Sequence, residues 1–268
     1  MLAKIRKSLA GMGFVSEFAR FAYFGLRTAA IPVMRPRISN RGPGFEFIDG
    51  WRYYFYHKRA KRNGSFSQHA QDALVLEMTG NLHEGRFIDI GCNDPIRFNN
   101  TALLEKNYGW SGISIDAQAQ FAVPFQKTRS TPFVHACVGN IRKTVNFARV
   151  SGRDYAGLSG VLEHLDEQKV AGRSREVMPM QQRPLADIIE GYNLGNIDCL
   201  FVDVEGYEML VLEGIDFDAL HIANIVIEND VGFSGSNEIR HYLGERGYEL
   251  RARVYGDDFF CRIKPTTD

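Results

Sequence analysis

The sequence predicts an α/β protein built on a Rossmann-like sheet that is mostly parallel, closed by a C-terminal antiparallel hairpin and preceded by a helical and loop-rich N-terminal extension. Three observations predict it. From residue 66 onward, apolar β-favouring runs alternate with segments at helical spacing, which calls for parallel pairing through right-handed crossovers. One run, RFIDIGCND at 86–94, passes straight into a glycine turn. The closing stretch, GYELRARVYGDDFFCRIK, carries two alternating runs about a turn at Gly256–Asp257.

The extension, residues 1–65, is set apart by charge. It holds thirteen Lys and Arg against three acids, a net +10 in a chain of net charge 0, so the remainder carries −10. A basic arm beside an acidic domain suits contact with an anionic surface or with that domain. Ile5, Leu9, Phe14, Val15, Phe18, Phe21, Ala22 and Phe24 fall among the basic residues as in one or two amphipathic helices broken near Gly11 and Gly13. Such a segment suits a membrane surface, its own domain or a second copy in a homo-oligomer. Residues 31–65, with Pro32, Pro36, Pro43 and four glycines, read as a loop-rich connector bearing the aromatic patch WRYYFYH at 51–57.

Glu17, Arg20 and Arg27 break the apolar runs that a secretory signal would need. No run approaches the ~20 apolar residues of a membrane span. The four cysteines lie in or beside apolar runs without a CxxC pair, as buried reduced thiols do. A cytoplasmic protein is expected, with the arm able to hold it peripherally at the inner face of the membrane.

The domain expected over 66–268 can be taken in order. SQHAQDALVLEMTG (67–80) starts at a serine N-cap and stops at Gly80, with Leu74, Val75 and Met78 at helical spacing. Phe87, Ile88 and Ile90 make the first core strand, with Asp89 toward its carboxyl end. TALLEKNYGW (101–110) is a helix with a glycine stop, leading into the strand ISID that ends in Asp116. PFVHACV (132–138) is the third strand. NFARV and EVMPM read as strands flanking RDYAGLSG, in a 140–180 segment long enough to cover a site. PLADIIEG is a helix, IDCLFVDVEG (197–206) the fourth strand, 207–213 a helix, and IANIVIEND (222–230) the fifth strand.

Asp116 stands 25 residues after Gly91, where a carboxylate on the neighbouring strand tip can accept from both hydroxyls of a ribose. Gly91 is followed by CNDPIRF, so the GxGxxG turn that cradles a pyrophosphate is absent. A nucleoside without phosphate fits, and S-adenosylmethionine is one: Asp89, Gly91, Cys92, Asn93, Asp94 and Asp203 are placed to serve its methionine end. Cys137 and Val138 would flank its adenine from the third strand's tip. A strand-turn without ligand accounts for the same stretch.

Methyl transfer to an alcohol requires alignment and removal of a proton. Asp203, Glu228 and Asn229, on the tips of neighbouring strands, form a hard-oxygen set suited to Mg²⁺. The alternative is a side-chain base: Glu205, just past the fourth strand, or His164 in the covering segment. Glu208 is expected to face solvent.

Several stretches taken together resemble the FkbM-type methyltransferases: SQHAQD (67–72), FIDIGCND with NNT (99–101), GWSGISID (109–116), IDCLFVDVEGYEMLVLEGIDF (197–217), IVIEND (225–230) and GYEL with GDDFF. The resemblance spans about 66–264. It implies a class I S-adenosylmethionine-dependent methyltransferase sheet acting on hydroxyls of sugars, glycans or natural products. It also implies donor-pocket roles for Gln68, Gln71, Asp72 and Asn100, although a polar helix start explains the first three equally well. The chain departs from the family at Pro95, where a glycine is usual.

Two competing readings remain. The basic arm and its aromatics suit a nucleic-acid methyltransferase, but DVEG stands where base-amino methylases carry (N/D)PP(Y/F), and the acidic domain fits a polyanion poorly, so no nucleic acid is expected. Pro95 is the best support for a non-catalytic, membrane-docking module with the same fold.

Overall fold

The computed structural model describes residues 17–152, 155–232 and 234–263. The apolar residues expected in helices before Ser16, and Arg153 and Asp154 of the covering loop, lie outside the described residues. The chain divides into two units, residues up to Gly64 with Asn229–Ile263, and Ser65–Glu228. The C-terminal residues thus group with the N-terminal ones, where the sequence suggested a catalytic domain running from 66 to the end.

The first unit begins with α1 (Glu17–Met34), β1 (Arg41–Ile48) and α2 (Gly50–Arg62). This corrects the reading of 31–65 as a connector. The carboxylate of Asp49 accepts from the Gly50 N–H at the start of α2 and pairs with the buried Arg27 of α1. Arg27 also lies over the Tyr255 ring at 4.2 Å. WRYYFYH is therefore helical, and its rings pack on α1, with Phe21 and Trp51 at 4.1 Å between centroids.

In the second unit come α3 (Gln71–Met78), β2 (Arg86–Ile90), α4 (Ala102–Tyr108), β3 (Ser111–Asp116), α5 (Ala122–Thr128), β4 (Phe133–His135), β5 (Cys137–Val138), β6 (Lys143–Val150), β7 (Gly160–Val161), α6 (Glu167–Val170), β8 (Arg175–Arg183), α7 (Leu185–Ile189), β9 (Ile197–Val202), α8 (Glu208–Glu213) and β10 (Ile222–Glu228). Five strands run parallel in the order β10-β9-β2-β3-β4. Phe87, Ile88, Ile113, Leu200, Phe201 and Ile225 are fully buried along it, as expected of strands covered on both faces. Chain order runs outward from β2 through β3 to β4 on one side and from β9 to β10 on the other. The connections reverse between β2 and β9, and a crevice opens beyond the carboxyl ends of strands at such a point.

The single strand expected at 132–138 is two. β4 ends the parallel set, and after Ala136 the chain enters a second sheet, ordered β5-β8-β6-β7. β6 and β8 pair antiparallel with Phe147 opposite Met178, which are the two strands foreseen on either side of the covering loop.

The first unit resumes with α9 (Asn237–Gly244), β11 (Tyr248–Val254) and β12 (Asp257–Arg262), an antiparallel hairpin to which β1 adds in parallel. Pairing of Val254 with Asp257 makes Tyr255–Gly256 the turn, one residue earlier than expected, and Tyr255 takes φ 56°. Among the described residues no helix is long and apolar enough to cross a membrane.

Candidate functional site

The site is built around a close approach at the strand reversal. Gly91 sits at φ 83°, and a Cβ there would fall 1.7 Å from the Asp203 carbonyl oxygen. Only glycine lets the turn after β2 pass over the tip of β9. The N–H groups of Gly91 and Cys92 both donate to the Ile115 carbonyl, at 2.9 and 3.2 Å, which draws the turn over β3 and beside Asp116.

Each Asp116 carboxylate oxygen accepts one backbone N–H, from Asn93 at 2.9 Å and Gln118 at 2.7 Å. Each keeps acceptor capacity for a hydroxyl. Burial raises the Asp116 pKa to about 6, against the hydrogen bonds that favour its charged form. Gly91, Asn93, Asp116, Cys137, Val138 and Asp203 line one cleft. Ala156, Gly157, Ser159 and Gly160 from the covering segment line it as well, and the Gln118 side chain donates to the Ala156 carbonyl at 3.1 Å. The Asp116 carboxylate, the glycine turn and the apolar side chains of Ala136, Val138 and Phe147 thus share one cleft.

Other residues expected at the donor are occupied elsewhere. Asp89 points into a buried polar knot, accepting from Thr101 Oγ1 at 2.9 Å, and burial lifts its pKa to about 6. Cys92 is packed with Phe121 and Phe125, and burial pushes its thiol well up. Asp94 accepts from the N–H groups of Ile96 and Arg97, closing the turn around Pro95. Asn100 does not line the cleft; its Oδ1 is buried without a hydrogen-bond partner. Gln68 is exposed. Gln71 accepts from the His69 N–H, and Asp72 from Ser65 Oγ and the Phe66 and Ser67 N–H groups, so SQHAQD shapes its own turn.

The turn that carries Pro95 is held by Asn99, whose amide donates to the Cys92 and Asp94 carbonyls at 3.0 and 3.1 Å. The Pro95 carbonyl accepts from Arg129 at 3.0 Å. Proline is thus built into a stapled loop that keeps Asn93 at the cleft.

Beside the cleft lies a carboxylate cluster. Ligand oxygens of Asp203, Glu208 and Glu228 all lie within 4.8 Å of one another. Glu208 corrects the expectation of a solvent-facing side chain. It is buried, and its Oε1 accepts from the N–H groups of Val204 and Gly206 at 3.1 Å each. A first-turn helical side chain leans back toward the helix N-terminus, where a carboxylate is favoured. The Asn229 side chain, expected as a ligand, is engaged within the first unit, where its amide donates to Asp258 and the Ser236 carbonyl and accepts from the Ser236 N–H.

Lys169, on α6, contributes what the sequence did not suggest. Its ammonium lies 3.0 Å from Glu205 Oε2 and 3.2 Å from Glu228 Oε1. A lone lysine in an irregular segment carries no sequence signal for this. Burial pushes the pKa values of Glu205 and Glu208 up, and Glu228 adds to both shifts. His164 is exposed, its ring edge-on to Tyr207 at 4.8 Å. The three-carboxylate set suits a hard cation in ligand type, while Lys169 already compensates part of its charge.

No curated protein matches the chain. The family model of the methyltransferase FkbM domain matches residues 89–250, more than half of the chain and the stretch that carries Gly91, Asp116 and the carboxylate cluster. The chain belongs to the FkbM methyltransferase family.

Proposed function

We propose that the protein transfers a methyl group from S-adenosylmethionine to a hydroxyl of a sugar, glycan or natural product. The observation that carries this reading is Asp116, held by two backbone N–H groups beside a turn with no phosphate grip and facing the same cleft as Asp203. Bound donor supplies a methyl group already activated on a sulfonium. Asp116 takes the ribose hydroxyls, and Cys137 and Val138 flank the base. Glu205 accepts the acceptor's proton on its carboxylate: its raised pKa makes it a stronger base than an ordinary glutamate. Lys169 orients that carboxylate.

The acidic cluster favours one further reading, in which Mg²⁺ held by Asp203, Glu208 and Glu228 lowers the pKa of the acceptor hydroxyl. A reducing, cytoplasmic setting accords with four cysteines of which none is in a disulfide.

Calorimetry with S-adenosylhomocysteine tests the donor site. The wild type binds, and Asp116→Ala weakens binding at least tenfold; equal binding by both would remove the reading. A labelled-donor screen of nucleotide sugars and lipid-linked glycans identifies the acceptor.

A further inference from the structure

We infer that the helical pair α1 and α2 of the first unit is a docking surface for an anionic phospholipid bilayer. The inference is independent of the methyl-transfer reading. On α1, Ala22, Leu26, Ala29 and Val33 are all exposed, and their spacing of four, three and four residues puts them on one stripe along the helix. Leu26 is 39% and Val33 59% exposed, more than a helix that packs its apolar face inward leaves open. Beside the stripe, Phe21 is 62% exposed, and on α2 Phe55 is 65% exposed. The two rings flank Trp51, at 4.1 and 6.5 Å between centroids, so the apolar surface is continuous from one helix to the other.

Cations outnumber carboxylates around this surface, where exposed Glu46 pairs with Arg52 at 2.9 Å. α2 carries Arg52, Lys58, Arg59, Lys61 and Arg62 and no carboxylate. Trp51, Tyr54, Phe55, Lys58 and Arg62 recur at helical spacing, which runs aromatic rings into exposed cations on one face. Lys58 Nζ sits 5.2 Å over the Tyr54 ring. Exposed Arg35, Arg37 and Arg41 follow the far end of α1.

Exposed side chains such as Phe21, Leu26, Val33 and Phe55 have nothing to hydrogen-bond, so a polyanion in water would leave them solvated. A bilayer interface takes both parts at once, the hydrocarbon boundary receiving the apolar arc and anionic headgroups the cations. Trp51 and Tyr54 are the ring types that settle at headgroup depth.

The test is sedimentation of the full chain with phosphatidylcholine vesicles, with and without phosphatidylglycerol. The chain should pellet with the anionic vesicles, stay in solution with the zwitterionic ones and be released by high salt. The Phe21→Ser/Phe55→Ser and Lys58→Glu/Arg62→Glu variants should each lose at least tenfold in partitioning. Their mutated side chains are exposed, and unchanged circular dichroism and melting would show that the fold is kept. Quenching by brominated lipid should reach Trp51 and spare Trp110, which is buried.

Absence of anionic-vesicle binding, or wild-type binding by the Phe21→Ser/Phe55→Ser variant, would overturn the inference. So would a dimer in light scattering that the same variant splits while vesicles recruit nothing, since a second copy of the chain would then own this face.

Discussion

In the proposed reaction single carboxyl groups carry most of the chemistry, and burial decides which of them are shifted. Glu205 is shifted up by burial first and by Glu228 next, so its basic form accumulates as pH rises through neutrality. The methyl-transfer rate should rise with pH through neutral into mildly alkaline solution, and Glu205→Gln should lower it ~10²-fold or more and flatten the profile. A profile unchanged in Glu205→Gln would move the base role elsewhere. Asp89 offers a stability counterpart. Its folded pKa of about 6 lies above its ordinary 3.8, so the folded state holds a proton that the unfolded chain releases. Stability on its account is therefore present below the unfolded value and is lost as pH climbs toward 6. The shift corresponds to about 3 kcal/mol. Urea unfolding of Asp89→Asn should lack that decline between pH 4 and 6, and an unaltered pH dependence would show that the carboxylate is ionised in the folded protein.

At the scale of elements, close approaches and caps decide the outcome. Helix α2 begins at Asp49, whose carboxylate both meets the first N–H of the helix and compensates buried Arg27. Asp49→Ala removes a cap and leaves an uncompensated buried guanidinium, so a loss of about 3–5 kcal/mol is expected in denaturant titration. A loss below ~1 kcal/mol would mean that Arg27 finds water. That element was hidden in the sequence because prolines and glycines around it read as a connector, whereas Gly42 and Gly44 lie within β1 and Pro32 within α1. The parallel strands were legible for the opposite reason. Their apolar runs are short and bounded by turn residues, and burial on both faces leaves little room for another pattern.

At the scale of the whole molecule, the readings differ in what removes function. A metal-free base predicts full turnover in EDTA, and a cation on Asp203, Glu208 and Glu228 predicts loss with recovery on adding Mg²⁺. Donor binding in the cleft should also protect the fold. S-adenosylhomocysteine at a hundred times its Kd should add about 2.7 kcal/mol, read as a rise in Tm, and no rise would count against the cleft as its site. The glycine turn and Asp116 were legible because each is tied to the carboxyl end of a parallel strand, where a crevice opens. The acidic cluster was legible only in part: Asp203 and Glu228 follow from strand tips, while Glu208 and Lys169 depend on a helix start and a covering segment that meet only in three dimensions.

The sequence by itself determined the alternating α/β order, the family and the positions of the two strand ends that make the cleft, because local apolar periodicity and turn residues act over short stretches of chain. Tertiary structure alone decided which polar groups face that cleft. Asp89 is drawn into a buried knot with Thr101, Cys92 packs on Phe121 and Phe125, and Lys169 is set between Glu205 and Glu228. Those outcomes rest on partners brought together from separate stretches of chain, a constraint that no stretch of sequence expresses on its own.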